Sequence, residues 1–232
     1  MPDSSESVPL HGYRGTAPDE IAHRPRGLTV AISREAGSNG WPIAQAVGRL
    51  LGWQAFDQDV LDFMTQDETA FAELVADVPT SARKWADARL ATVVAERGLR
   101  ESSELTEMAR FALTLAARGE AVLVGTAVGF LLPTETTVHV RIVAPLERRV
   151  TQMADRLRLT AAEAEAEVRA TDRRRADLLS VLVGRDATDP VGYDLVLNSS
   201  RLGVVGCAEL IAQAVRFKQV AEEVVPADVP TA

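Results

Sequence analysis

The chain is short of several things, and each shortage excludes something. Among 232 residues there is one cysteine, Cys207, so no disulfide can form within the chain. Cys207 stands at helical spacing among apolar residues and reads as a small buried core side chain. The three histidines are scattered, with His11 and His23 near the N-terminus and His139 inside an expected strand, which argues against a zinc site. No metal-ligating residue is assigned. No apolar run approaches the roughly 20 residues that a membrane-spanning helix needs. The N-terminus also lacks the charged-then-apolar pattern of a secretory signal. A cytoplasmic protein with no membrane partner is the expectation. Positive charge is scarce as well: 25 basic residues face 33 acidic ones, and the net charge of -8 argues against a protein that coats duplex nucleic acid. The basic residues are almost all arginine, Lys84 and Lys218 being the only lysines. Arginine grips phosphate with a planar fork that lysine does not have.

What is present is a hydrophobic share of 47%, ample for a packed core, in a chain sized for one domain with a small inserted subdomain. Residues 1–26 are rich in Pro, Ser, Gly and charge without periodicity and read as a disordered tail; residues 221–232, with Pro226 and Pro230, read as a short C-terminal tail. Between them strands and helices alternate. LTVAIS (28–33) is an apolar β run, WPIAQAVGRLLG a helix with Pro42 in its first turn and Gly52 to close it, and WQAFD a brief second strand. Asp57 is placed to cap a following helix, QDVLDFM. Residues 70–118 are almost wholly helical in pattern, and the apolar stripe of the 83–118 helices reads as core or as a homodimer face. Residues 121–125 form a third strand. TVHVRIV (137–143) forms a fourth, whose alternation sets Val138, Val140 and Ile142 on one face. Pro145 opens a helix to about Leu157, Thr160 and Glu163 make a capping-box pattern at the head of a long helix, YDLVLN is a fifth strand, and GVVGCAELIAQAVRF a final helix. Alternation of this kind implies parallel pairing and a three-layer α/β fold.

In a parallel sheet ligands collect beyond the C-terminal ends of the strands. The turn 33–40 lies at such an end, ahead of a helix whose free N–H groups and dipole suit an anion. Gly37 and Gly40 let the backbone approach a phosphate, Ser33, Ser38 and Asn39 add polar groups, and Arg34 adds a fork. The same residues would also make an ordinary strand–helix turn. The Walker pattern G-x-x-x-x-G-K-[ST] is absent, as is G-x-G-x-x-G. Asp57 falls about 20 residues after Gly37, which keeps a Rossmann-type dinucleotide binder in play. Trp41, Trp53 and Trp85 read as core packing ahead of base stacking.

The stretch AISREAGSNGWPIAQAVGRLLGWQAFDQDVLDFM resembles the opening of the cytidylate kinase-like family, a branch of the P-loop nucleoside monophosphate kinases, through Ser33, Arg34, Glu35, Gly37, Ser38, Gly40, Ile43, Ala44, Leu51-Gly52 and Phe56-Asp57. VRIVAPLERRV, the D-x-x-R element of Asp172 and Arg175, and DPVGYDLVLNSSRLG continue the likeness over 28–215 apart from the helical patch. The resemblance implies a three-layer P-loop-type α/β sandwich with a parallel sheet of about five strands. It implies a nucleoside monophosphate kinase-like domain over 27–220, with a helical substrate-side subdomain at 70–118 and an arginine-rich lid at 145–190. It implies a nucleotide partner, ATP and Mg²⁺ as cofactors, and phosphoryl transfer to a CMP-like acceptor. By the same resemblance Ser33, Arg34, Gly37, Ser38, Asn39 and Gly40 hold the nucleotide, Asp57 and Asp172 meet the substrate, and Arg149, Arg156, Arg175 and Arg185 act as the catalytic lid arginines. This chain departs from the family where Trp41 stands in place of an arginine, with Pro42 next, and where Gly125-Thr126 replaces Gly-Arg. Phosphoryl transfer depends on neutralising charge on the moving group. The departures therefore raise an alternative, a nucleotide-binding protein of weak or no activity that serves as a regulator or assembly partner.

Overall fold

The computed structural model describes residues 27–57, 69, 72–73, 76, 78–97, 104–184 and 186–224. The N-terminal tail, the helix expected after Asp57, Arg185 and residues 225–232 lie outside the described residues. The strands are β1 (Thr29–Arg34), β2 (Gln54–Phe56), β3 (Ala121–Val124), β4 (Thr137–Val143) and β5 (Leu195–Asn198). They form one five-stranded sheet in the order β2-β3-β1-β4-β5, with every pair parallel. The helices are α1 (Gly40–Leu51), α2 (Thr80–Arg97), α3 (Glu104–Arg118), the short α4 (Val128–Leu131), α5 (Leu146–Leu157), α6 (Ala161–Val183) and α7 (Ser199–Val224). The last continues into the segment expected as tail.

The order of the strands removes the dinucleotide-binding alternative. In that fold β1 lies beside β2; here β3 separates them. β1 is the middle strand, so its C-terminal end opens at the centre of the sheet.

One face carries Val30, Ile32, Val122, Val140 and Ile142 against Ile43 and Val47 of α1 and Cys207, Ile211 and Val215 of α7. Val138, Val140 and Ile142 share this face, as the alternation of β4 predicts. The opposite face carries Ala31, Phe56 and Leu123 against Trp85, Leu90 and Phe111 of α2 and α3. The rings of Phe56 and Phe111 meet edge to face at 6.3 Å. Trp41 and Trp53 pack half-buried against the first of these cores. Local signals set the ends of the long helices. Thr160 and Glu163 form the reciprocal capping box of α6, and Gly184 closes it in the left-handed conformation. Gly203 (φ 67°, ψ 177°) breaks α7 with a backbone that only glycine adopts readily.

His139 of β4 is a buried polar point in this framework. Its Nε2 meets the Ser33 hydroxyl at 3.1 Å and its Nδ1 meets the Gly192 carbonyl at 2.8 Å. Nδ1 therefore donates to Gly192, and Nε2 accepts from Ser33. Gly129 of α4 lies flat on the ring, since a Cβ there would stand 2.1 Å from the imidazole. Burial pushes the imidazole down from its ordinary 6.5 to about 4, against the raising influence of the Gly192 carbonyl and of Asp194. As pH falls from 6.5 towards 4, the unfolded chain takes up a proton that the folded chain refuses. Stability is thus lost through that window, by on the order of 3 kcal/mol. The expected outcome is that His139→Gln flattens this part of the decline in melting temperature, followed by calorimetry. A decline as steep as that of the wild type would remove His139 as its source.

Candidate functional site

The turn between β1 and α1 takes its shape from three residues. Gly37 has φ 75°, and a Cβ there would stand 2.4 Å from the Arg149 carbonyl oxygen. Only glycine allows α5 to come this close, so Gly37→Val would disturb loop packing as well as any ligand. Asn39 also lies in the left-handed region (φ 63°) at the N-cap of α1, without a side-chain cap. A Cβ on Gly40 would collide at 2.8 Å with the Cγ of Arg34, so Gly40 makes room for the arginine stem. Ile43 donates to the Asn39 carbonyl at 3.1 Å and starts the helical ladder. Pro42 has no N–H. The amides of Gly40 and Trp41 are therefore the first-turn donors without an intrahelical acceptor, at the positive end of the helix dipole. Ser38 is 1% exposed and turns its hydroxyl inward, 2.8 Å from the Glu35 carbonyl.

The first half of the turn is gripped from α5 and α6. Asp172 Oδ1 accepts the Ala36 N–H at 2.7 Å, and its Oδ2 lies 2.5 Å from Arg149 Nη1. Arg149 Nη1 also donates to the Ala36 carbonyl at 3.2 Å, and Nε donates to Ala144 at 2.9 Å. Glu35 Oε2 accepts the Ala144 N–H at 3.0 Å and faces Arg149 Nε at 3.3 Å. Arg149 is only 8% exposed. Arg175 Nη1 donates to the Arg34 carbonyl at 3.1 Å.

Two cavities flank this grip. The larger, about 520 Å³, lies over the turn from Arg34 to Pro42 and reaches Asp57, Val124, Arg156 and Arg175. The smaller, about 200 Å³, lies between Ser33, Thr126, Arg141, Leu179 and Tyr193. Arg34, Glu35 and Arg175 line both. Burial lowers the pKa of the Arg175 guanidinium; Asp172 opposes that effect, and the like charges of Arg156 and Arg174 add to it. Arg156 and Arg175 thus repel each other beside the helix N-terminus. The sulfur of Met153 is the group near Arg156 Nη2, at 3.0 Å.

Most of the residues expected for the site line one of these two cavities. Arg34, Gly37, Ser38, Asn39, Gly40, Asp57, Arg156 and Arg175 line the larger cavity. Ser33 and Asp172 line the smaller one. Arg149 lines neither and is turned into the protein. Arg185 lies outside the described residues. Arg141 and Tyr193 were missed by the sequence reading. The Arg141 guanidinium sits 5.7 Å from the Tyr193 ring centroid and 4.0 Å from Glu35, at the floor of the smaller cavity. A guanidinium in a strand that is otherwise uncharged, β4, was the available signal. Among the described residues no group of three or more His, Cys, Asp or Glu could hold a metal, and no helix is long and apolar enough to cross a membrane.

Comparison with known proteins adds a family to this geometry. Solved structures similar to the chain include an uncharacterized protein from Eubacterium ventriosum ATCC 27560, at a TM-score of 0.55 and 15% identity over 84% of this chain and 99% of that one. They also include a shikimate kinase from Bacteroides thetaiotaomicron (TM-score 0.45, 12% identity, 84% and 98% covered) and a gluconokinase from Sinorhizobium meliloti 1021 (0.43, 14%, 86% and 96%). The first of these shares the fold. No curated protein sequence matches significantly. The model of the cytidylate kinase-like family matches residues 29–201, from the first strand into the first turn of the last helix. The chain belongs to the cytidylate kinase-like family.

Proposed function

We propose that the chain binds the phosphates of ATP in the larger cavity and transfers the terminal phosphoryl group to a nucleoside monophosphate of CMP type. The family supports a nucleotide- or small-molecule-kinase-like function. The observation that carries the finer reading is the convergence of Arg156, Arg175 and the N-terminus of α1 on one cavity. In the reaction an acceptor phosphate oxygen forms a bond to the terminal phosphorus while the bond to the bridging oxygen breaks. Charge accumulates on the oxygens of the moving group. The Gly40 and Trp41 amides, Arg34, Arg156 and Arg175 are the donors that would meet that charge.

Magnesium fits this site in a restricted way. Kinase magnesium is held mainly by substrate phosphates and water with one or two carboxylates. Asp57, at the end of β2 on the cavity wall, is a carboxylate of that kind. The first turn of α1 offers no hydroxyl ligand, because Trp41 and Pro42 stand there. When bound, the ion supplies neutralisation of phosphate charge.

The same Gly40-Trp41-Pro42 stretch favours the second reading, a nucleotide-binding regulator with little turnover. A preorganised electrostatic donor contributes roughly 3–4 kcal/mol to a barrier, and the loop lacks its own cation. A thermal-shift and turnover panel of ATP, GTP, CMP, dCMP, UMP and AMP, with and without Mg²⁺, separates the two. Stabilisation with turnover supports the kinase; stabilisation without it supports the binding protein.

Two outcomes are expected for variants. Arg156→Ala and Arg175→Ala should each weaken a non-hydrolysable ATP analogue about 10- to 100-fold in titration calorimetry, since a charged hydrogen bond contributes about 1.5–3 kcal/mol. Arg156→Ala should melt close to the wild type, because Arg156 is exposed. Unchanged affinity in both would show that the cavity does not hold the phosphates. Trp41→Arg should raise turnover by restoring a cation beside the helix N-terminus. A folded Trp41→Arg protein that transfers no phosphate to any acceptor of the panel would count for the binding protein.

A further inference from the structure

We infer that Asp172 and Arg149 form a latch through which α6 sets the phosphate loop in its anion-binding shape, and that they are positioning residues, not phosphate ligands. The inference rests on the loop being the phosphate site. Both backbone groups of Ala36 are held from outside the loop: its N–H by Asp172 Oδ1 at 2.7 Å and its carbonyl by Arg149 Nη1 at 3.2 Å. The two side chains then join each other through Asp172 Oδ2. On the residue before, Glu35 is tied to Arg149 Nε and to the Ala144 N–H. On the residue after, Gly37 lies against the Arg149 carbonyl. Three consecutive loop residues thus meet one arginine, Glu35 and Ala36 through its guanidinium and Gly37 through its backbone. The left-handed residues that aim the first-turn amides of α1, Gly37 and Asn39, follow directly.

The anchorage of α6 explains why this contact does more than hold the helix down. Its N-terminal half is anchored by Ala164 and Val168, packed on Met153 and Ala36. Its C-terminal end is anchored by Leu179, Leu182 and Val183, packed on Ala127. Opposite the loop, between these two apolar anchors, the helix reaches β1 and the turn through Asp172 on Ala36 and Arg175 on the Arg34 carbonyl. The apolar anchors secure the helix, and the polar middle sets the register of the loop. Arg175 lines both cavities and stands one turn from Asp172, so the latch also sets where that guanidinium points.

The test separates positioning from stability. A buried ion pair contributes little net stability when both partners are replaced by apolar groups of similar volume, while loss of one partner strands the other. The variants are Asp172→Asn and the double variant Arg149→Met with Asp172→Leu. The readouts are melting temperature, titration with a non-hydrolysable ATP analogue, and hydrogen exchange of the Ala36–Trp41 amides, each below the melting point of the variant. Asp172→Asn is expected to melt lower, to bind the analogue at least 10-fold more weakly and to exchange the loop amides at least 10-fold faster. The double variant is expected to regain part of the melting temperature, Glu35 losing Arg149 but keeping the Ala144 N–H, while affinity and exchange stay impaired. Wild-type affinity and loop protection in the double variant would overturn the latch and leave a purely structural pair. If the wild-type protein does not bind the analogue, the nucleotide reading fails on its own. Loop exchange then decides the latch, and unchanged protection in Asp172→Asn would overturn it.

Discussion

The Arg149 guanidinium lies in the interior where the first turn of α5, the middle of α6 and the loop after β1 come together. A buried cation is tolerated only when its donors are met and its charge is offset. Here Glu35 and Asp172 supply the charge, and the carbonyls of Ala36 and Ala144 take N–H groups. Satisfying this one side chain brings β1, α5 and α6 into a single arrangement. The cavity over the loop, the close approach of Gly37 and the placement of Arg175 all depend on it.

The loop itself carries no cation and offers a backbone scaffold with a dipole. It offers the amides of Gly40 and Trp41, and it has no lysine, no first-turn hydroxyl and one amide fewer because of Pro42. Its positive charge comes from elsewhere: Arg34 from the end of β1, Arg156 from α5 and Arg175 from α6. Cations carried on separate elements converge only when those elements are docked. The proposed phosphate binding is thereby linked to the packing of α5 and α6 in a way that a lysine within the loop would not require.

His139 shows the opposite solution to a buried titratable group. It carries no charge at neutral pH, and its two nitrogens are assigned to Ser33 and Gly192. It fastens β4 to the end of β1 and to the turn before β5, beneath the smaller cavity where Arg141 meets Tyr193. One face of the sheet at this end is therefore polar but internally satisfied, beside a loop cavity whose arginines repel one another.

Much of the architecture was legible before any coordinates. The five strands, the capping box at Thr160 and Glu163, the closing glycine Gly52 and the family likeness all follow from signals spanning four or five residues or from motif order. Such signals are local: periodicity, caps and turn residues act between neighbours in the chain. The site was legible as a list of residues and not as a set of roles. Arg149 and Arg156 share a face of one helix by spacing, yet one is buried on Asp172 and Glu35 while the other opens into the cavity. Their shared face does not distinguish them; the loop meets α5 at its first turn, where Gly37 lies against Arg149, while Arg156 stands in the last turn. Asp172 lies 136 residues from the amide it holds, and Ser33 lies 106 residues from His139. Those pairings depend on β4 pairing beside β1 and on α6 packing back over the loop, a choice made by the packing of whole elements. The sequence by itself determined which segments become strands and helices and which turn is the candidate anion site. The tertiary structure alone decided which charges face that turn and which face each other, because partners so far apart in the chain meet only after the sheet order is set.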